Sequence, residues 1–138
     1  MQIKLSDIYS VMSSTPSSPV SAIGELMSLR PNPSPQVSYW FGKMVRLFTD
    51  EFADINLARS GIIEQLGAKD KDGNTQIQNS DTEGIASYVE QLNAVLEEKA
   101  DLPLRKIKVS ELGDEFPITI ELQARFYFMI DGEEEPAA

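Results

Sequence analysis

The sequence predicts a mainly α domain with a small antiparallel β element, and three observations predict it. Apolar residues recur at spacings of three and four over 36–66, the signature of one face of an amphipathic helix. The same period returns over 81–99. Two short stretches, 2–5 and 104–109, alternate or mix polar and apolar residues over the length of a short strand. A chain of 138 residues with 41% hydrophobic content fits one domain with a core. We place that domain at 1–131 and read 132–138, with Glu133, Glu134 and Glu135, as an acidic flexible tail.

Taken in order, Gln2-Ile3-Lys4-Leu5 reads as an edge strand, and Ser6 as the N-cap of a helical turn through Ile8 and Val11. Residues 13–19, rich in Ser and Pro, form a loop. Ser18-Pro19 then opens a short helix, since proline at the first helical position loses no needed hydrogen bond. Its face is Val20, Ile23, Leu26 and Met27, and it ends near Arg30. Pro31, Pro33 and Pro35 stiffen the connection over 31–35.

The strongest pattern is Val37, Phe41, Met44, Phe48, Phe52, Ile55, Ile62 and Leu66, with Gly67 as the stop. Trp40, Val45, Leu47, Leu57 and Ile63 widen the face, so this helix is expected to meet neighbours on more than one side. Arg59 falls inside the stripe, which suggests a buried ion pair with a carboxylate of a neighbouring helix. Residues 69–75 form a turn. They do not form an EF-hand loop: Gly73 stands fourth instead of sixth, and position twelve is Asp81 instead of Glu. A second helix follows over 81–99, with Ile85, Tyr88, Val89, Leu92, Val95 and Leu96 on one face and a cap at Asp81 or Thr82. The strand at 104–109 is expected to pair with 2–5. Segment 118–130 fits two patterns. Its strict alternation favours a strand, while Ile118, Leu122, Phe126, Met129 and Ile130 also form a helical face behind Pro117.

Composition narrows the chemistry. With no His and no Cys, the chain excludes Ser-His-Asp and Cys-His catalysis, His or Cys zinc sites, and disulfides. Gly42, Gly61, Gly67 and Gly73 match no phosphate-binding loop, and no S-x-x-K motif supplies a nucleophile. Carboxylate pairs such as Asp50 with Asp54, Glu97 with Asp101, and Asp114 with Glu115 are expected by chance among 22 acids. No catalytic, cofactor-binding or metal-ligating residue is assigned. The apolar run Phe126–Ile130 is far short of the ~20 residues of a membrane span. The N-terminal residues lack a signal-peptide pattern, so neither secretion nor membrane insertion is expected.

The net charge of −10 is unevenly distributed. Residues 1–49 carry four cations against two acids, whereas residues 50–101 carry twelve acids against four cations. Such acidity argues against direct nucleic-acid binding, which needs a basic patch. Solubility is one reading of it; carboxylates imitating phosphates are another. The aromatic triplets Tyr39-Trp40-Phe41 and Phe126-Tyr127-Phe128 cannot turn all their rings into one core. At least one ring of each must face solvent or a partner, which makes these six residues candidate interface positions.

Several motifs resemble a family of small, uncharacterised proteins of tailed bacteriophages. They are the Ile3-Lys4-Leu5 step, the spacing of Glu51, Phe52 and Arg59, and the turn carrying Gly67, Lys69, Asp70, Asp72, Gly73 and Asn74. The resemblance spans roughly residues 36–130, and the Ser/Pro-rich region 13–35 departs from it. It implies a helix over about 119–130 and a product of virion or assembly genes, and it carries no catalytic residues. The expectation is a non-enzymatic phage structural or assembly protein that self-associates or contacts other phage structural proteins, in the virion or the host cytoplasm, without cofactor. The alternative is an acidic inhibitor or DNA mimic that binds a host nucleic-acid enzyme.

Overall fold

A 32-residue helix runs through the structure and the other elements pack along it. The computed structural model describes residues 1–15, 17, 19–69, 72, 73, 75–78 and 80–131. The acidic tail over 132–138, and Asp70 and Asn74 of the turn, lie outside the described residues.

The chain begins with β1 (Gln2–Lys4) and passes directly into α1 (Leu5–Met12). Lys4, not Ser6, occupies the N-cap, and no side chain caps this helix. The Leu5 N–H donates to the Glu98 carbonyl at 2.9 Å, so a distant segment satisfies one of the free donors of the first turn. Helix α2 (Ala22–Ser28) starts later than the Ser18-Pro19 pair suggests. Ser21 is its cap, its hydroxyl accepting from the Gly24 N–H at 3.2 Å. Ala22, Ile23 and Leu26 are buried there, whereas Val20 and Met27 are exposed.

Helix α3 (Pro35–Leu66) matches its sequence pattern closely. Pro35 takes the first helical position, and the Ser34 hydroxyl accepts from the Val37 N–H at 3.4 Å. Val37, Phe41, Met44, Phe48, Ile55 and Ile62 are its buried stripe. Gly67 does end the helix, for a reason other than a left-handed turn. Its φ of −88° is ordinary, but a Cβ there would lie 2.7 Å from the Gln76 carbonyl and 2.8 Å from that of Ile63. Glycine is required because the hairpin β2 (Ala68–Lys69) and β3 (Thr75–Gln76) folds back onto the helix end.

Helix α4 (Thr82–Leu96) opens on Asp81, whose carboxylate accepts from the Gly84 N–H at 2.9 Å. It stops before residue 99 because β4 (Lys99–Asp101) pairs antiparallel with β1, Ile3 opposite Ala100. This corrects the expected pairing of 2–5 with 104–109. Pro103 has no N–H to continue the ladder, and the Leu104 N–H instead turns back to the Leu102 carbonyl at 2.7 Å. Strand β5 (Ile107–Lys108) pairs in parallel with β6 (Ile130–Asp131), and a 3₁₀ turn at Val109–Leu112 follows β5.

Segment 118–130 is mostly not a strand, although its alternation favours one. Thr119 caps α5 (Ile120–Arg125), accepting from the Leu122 N–H at 3.1 Å, and residues 126–129 turn into β6. Leu122, Phe126, Met129 and Ile130 are buried, while Ile120 is 86% exposed. A flat strand would have buried Ile120 with its alternate neighbours; instead the short helix turns Ile120 outward and Leu122 inward, and the turn after it buries Phe126, Phe128 and Met129, following neither period.

The fold is therefore mainly α with small two-stranded sheets. Helix α1 packs on α2, α3 and α4, and α4 packs on α3. Among the described residues no helix is long and apolar enough to cross a membrane. Phe48 is fully buried, its ring 6.0 Å from that of Phe128. Phe48→Ala should cost about 3–5 kcal/mol in urea denaturation, whereas Leu57→Ala, at a position 72% exposed, should stay within about 0.5 kcal/mol.

Candidate contact surfaces

Successive residues of α3 point about 100° apart, so the first aromatic triplet is split three ways. Phe41 turns inward and packs 6.2 Å from Phe116. Trp40 is half-buried, with the Lys43 ammonium 5.3 Å and the Arg105 guanidinium 5.5 Å from its ring centre. Tyr39 stands 59% exposed, edge-on to Trp40. The second triplet divides in the same way. Phe126 and Phe128 are buried, their rings 6.2 Å apart, whereas Tyr127 is 61% exposed. Its hydroxyl donates to the two Asp7 carboxylate oxygens at 2.9 and 3.0 Å, which raises the Tyr127 pKa. Phe41, Phe126 and Phe128 are thus core residues and not interface positions, because their rings fill the space between α3 and the C-terminal segment. Of the six, Tyr39, Trp40 and Tyr127 reach the surface.

Arg59 is not buried, and among the described residues it is paired with no carboxylate. It is exposed, and its Nε–H donates to the Tyr88 hydroxyl at 2.7 Å. That bond raises the arginine pKa and outweighs the opposing effect of partial burial. The physical reason for the difference lies in α4. The residue it places opposite Arg59 is a tyrosine of its apolar face, and its glutamates Glu83 and Glu90 are exposed elsewhere.

Arg59 and Tyr88 line a cleft of about 390 Å³ with Ile63, Ile77 and Ile85. Here the apolar face of α4 runs past the surface it packs against. Ile85 is 37% and Val89 47% exposed, and Gly84 is the buried residue of this helix. Tyr88, Leu92, Val95 and Leu96 are half-buried.

Sequence reasoning missed the best-formed polar cluster. The Arg105 guanidinium grips Glu111 through two nitrogens at 3.0 and 2.7 Å. Glu111 also accepts from the Lys108 N–H at 3.0 Å, and its carbonyl accepts from the Ser34 hydroxyl, the α3 cap, at 3.0 Å. The cluster joins the start of α3 to the 3₁₀ turn. Its members belong to an irregular connection, where periodicity carries no information; a basic residue six positions before an acid was the only trace. Among the described residues no three acidic side chains gather as a metal site would require.

The Arg105 bond, and secondarily the Lys108 N–H, hold the Glu111 carboxyl down at about 2, against an ordinary 4.5. A depressed folded-state pKa adds stability above about pH 4.5 and loses it as pH falls through about 2. Glu111→Gln should lower the urea midpoint at neutral pH and flatten its decline between pH 4.5 and 2, measured by fluorescence of Trp40. An unchanged acid slope would remove this pair from the stability account. Compared with known proteins, the chain finds no match: no protein-family model, no curated protein and no solved structure is similar to it.

Proposed function

We propose that this is a non-enzymatic bacteriophage structural or assembly protein acting through protein–protein contacts in or near the virion. The observation that carries the contact reading is the apolar flank of α4, where Ile85 and Val89 stay exposed beside the Arg59–Tyr88 cleft. A 15-residue helix gains most of its stability from packing its apolar face, so a face left partly open is available to a partner. The phage assignment draws on the resemblance of the Glu51-Phe52-Arg59 spacing and the turn after Gly67 to tailed-phage proteins.

The test is mass spectrometry of purified virions, joined to copurification with capsid, portal and tail proteins. The protein should be found in particles or bound to one of these components. Replacing both exposed residues, Ile85→Asp with Val89→Asp, should weaken that capture at least about tenfold while the thermal transition stays cooperative. A protein absent from virions and from every assembly intermediate would overturn the reading, as would salt-sensitive capture of a host nucleic-acid enzyme in place of virion proteins.

A further inference from the structure

A second strip runs along α3 beside the buried stripe, about 100° around the helix from it, and its Trp40 and Leu47 also pack on the edge of the core. Gln36, Trp40, Lys43, Leu47, Asp50, Asp54, Leu57, Gly61 and Glu64 follow one another at alternating spacings of four and three. These spacings trace one line along the helix, and of the nine residues only Trp40, Leu47 and Leu57 are apolar, so the line is a mostly polar surface strip. Every one of these positions is exposed or half-exposed, with Leu57 at 72%. The stripe is about 42 Å long at ~1.5 Å per residue.

Its charge is polarised. Residues 35–49 of α3 contain Lys43 and Arg46 and no acid. Residues 50–66 contain Asp50, Glu51, Asp54 and Glu64, and their single cation, Arg59, is turned to Tyr88. The apolar content is polarised as well. Tyr39 and Trp40 sit on the cationic half, and Gly61 sits on the acidic half, where an added Cβ would meet nothing within 4 Å.

We infer that a second copy of this chain covers this face, with the two α3 helices antiparallel about a two-fold axis near Asp50. This rests on reading the protein as one that works through contacts. Charge selects the arrangement. A parallel pair would set Lys43 against Lys43 and Asp54 against Asp54, whereas the antiparallel pair sets each cationic half on an acidic half. In that register Arg46 faces Asp54 and also reaches the partner copy's Asp50 position beside the axis. The Lys43 stem covers Leu57, Gln36 meets Glu64, and the Tyr39 ring falls on the open space at Gly61. An isologous contact of this kind uses one patch twice and closes at two copies. A seam one helix wide lies at the small end of specific interfaces, so the dimer is weak, micromolar or weaker, and weakens further with salt.

The chain has no cysteine, which makes single-cysteine cross-linking clean. Asp50→Cys should cross-link to itself through a disulfide or a short bismaleimide. Tyr39→Cys and Gly61→Cys should each stay uncross-linked alone and should join when mixed. In sedimentation velocity, Arg46→Glu and Asp54→Arg should each weaken the dimer at least tenfold, and the double variant should recover it. Both positions are exposed, so circular dichroism should show unchanged folding. A protein that is monomeric at millimolar concentration and low salt overturns the inference, even where capture of virion proteins persists and upholds the contact reading. So does self-cross-linking of Tyr39→Cys, or charge reversals that leave the association unchanged. A dimer that behaves as described but is missing from virions supports the inference and removes the assembly role instead.

Discussion

Burial of one stripe of α3 is the constraint on which the rest depends. Val37, Phe41, Met44 and Phe48 contribute the densest part of the core, and each is 0–2% exposed. No isolated helix holds such a stripe in water; it persists because α1 packs on α3 and aromatic rings of the C-terminal part meet it. Phe48 and Phe128 approach across that boundary, as do Phe41 and Phe116, so the last third of the chain packs on rings presented from its first half. The C-terminal half of α3 lacks such a cover. Ile55 and Ile62 are buried, but toward α4 and the hairpin, and α4 itself remains half-open. The molecule thus has a tightly built end and a sparsely covered one, set along the same helix.

Polar interactions fix where the helix ends are, which burial alone does not. Ser34 caps α3 and at the same time donates to the Glu111 carbonyl, while the Glu111 carboxylate holds Arg105 and the Lys108 N–H. One glutamate therefore sets the start of α3 relative to a connection more than 70 positions away. Arg105 in turn lies over Trp40, which places a cation on the outer face near the start of the helix. At the other end Gly67 lets β3 close on the last turn, since any side chain would collide with two backbone carbonyls. Both ends are anchored without a buried charge: among the described residues every buried side chain of the core is apolar.

How much of this was legible in the sequence follows from where the information is local. Helix α3 was placed to within a residue because its apolar period and the Gly67 stop are local signals, although Pro35, read as part of the stiff connection over 31–35, in fact opens the helix. The end of α4 and the partner of β1 were not, because both depend on which strand reaches Gln2–Lys4, and a strand two to three residues long has too little pattern to specify its mate. Segment 118–130 carried two valid periods at once. Only the tertiary fact that Leu122, Phe126, Met129 and Ile130 join the buried core, while Ile120 does not, decides the outcome. The candidate contact residues divided on the same principle. That some ring of each triplet must face outward was legible from geometry; that the outward rings are Tyr39 and Tyr127 fits their polar edge, and Asp7 as a partner could not be read from one dimension. Arg59 was misread because a charged residue in an apolar stripe has two explanations, a buried ion pair or a site where the stripe reaches the surface. The second holds here, with a phenol as acceptor.

The same distinction bears on the surface. An apolar residue exposed singly needs no explanation, since folded proteins leave much apolar area in contact with water. Leu57 alone would fall in that class. What sets it apart is company: it lies on an exposed strip of α3 that crosses from cations to acids at one point, between Arg46 and Asp50. A net charge of −10 ordinarily opposes self-association through mutual repulsion. A surface that segregates its few cations onto one half of an exposed helix offsets that repulsion locally, and it does so only in an antiparallel arrangement. The global charge then acts as a filter: it disfavours random contacts between copies and leaves the single geometry in which opposite charges meet.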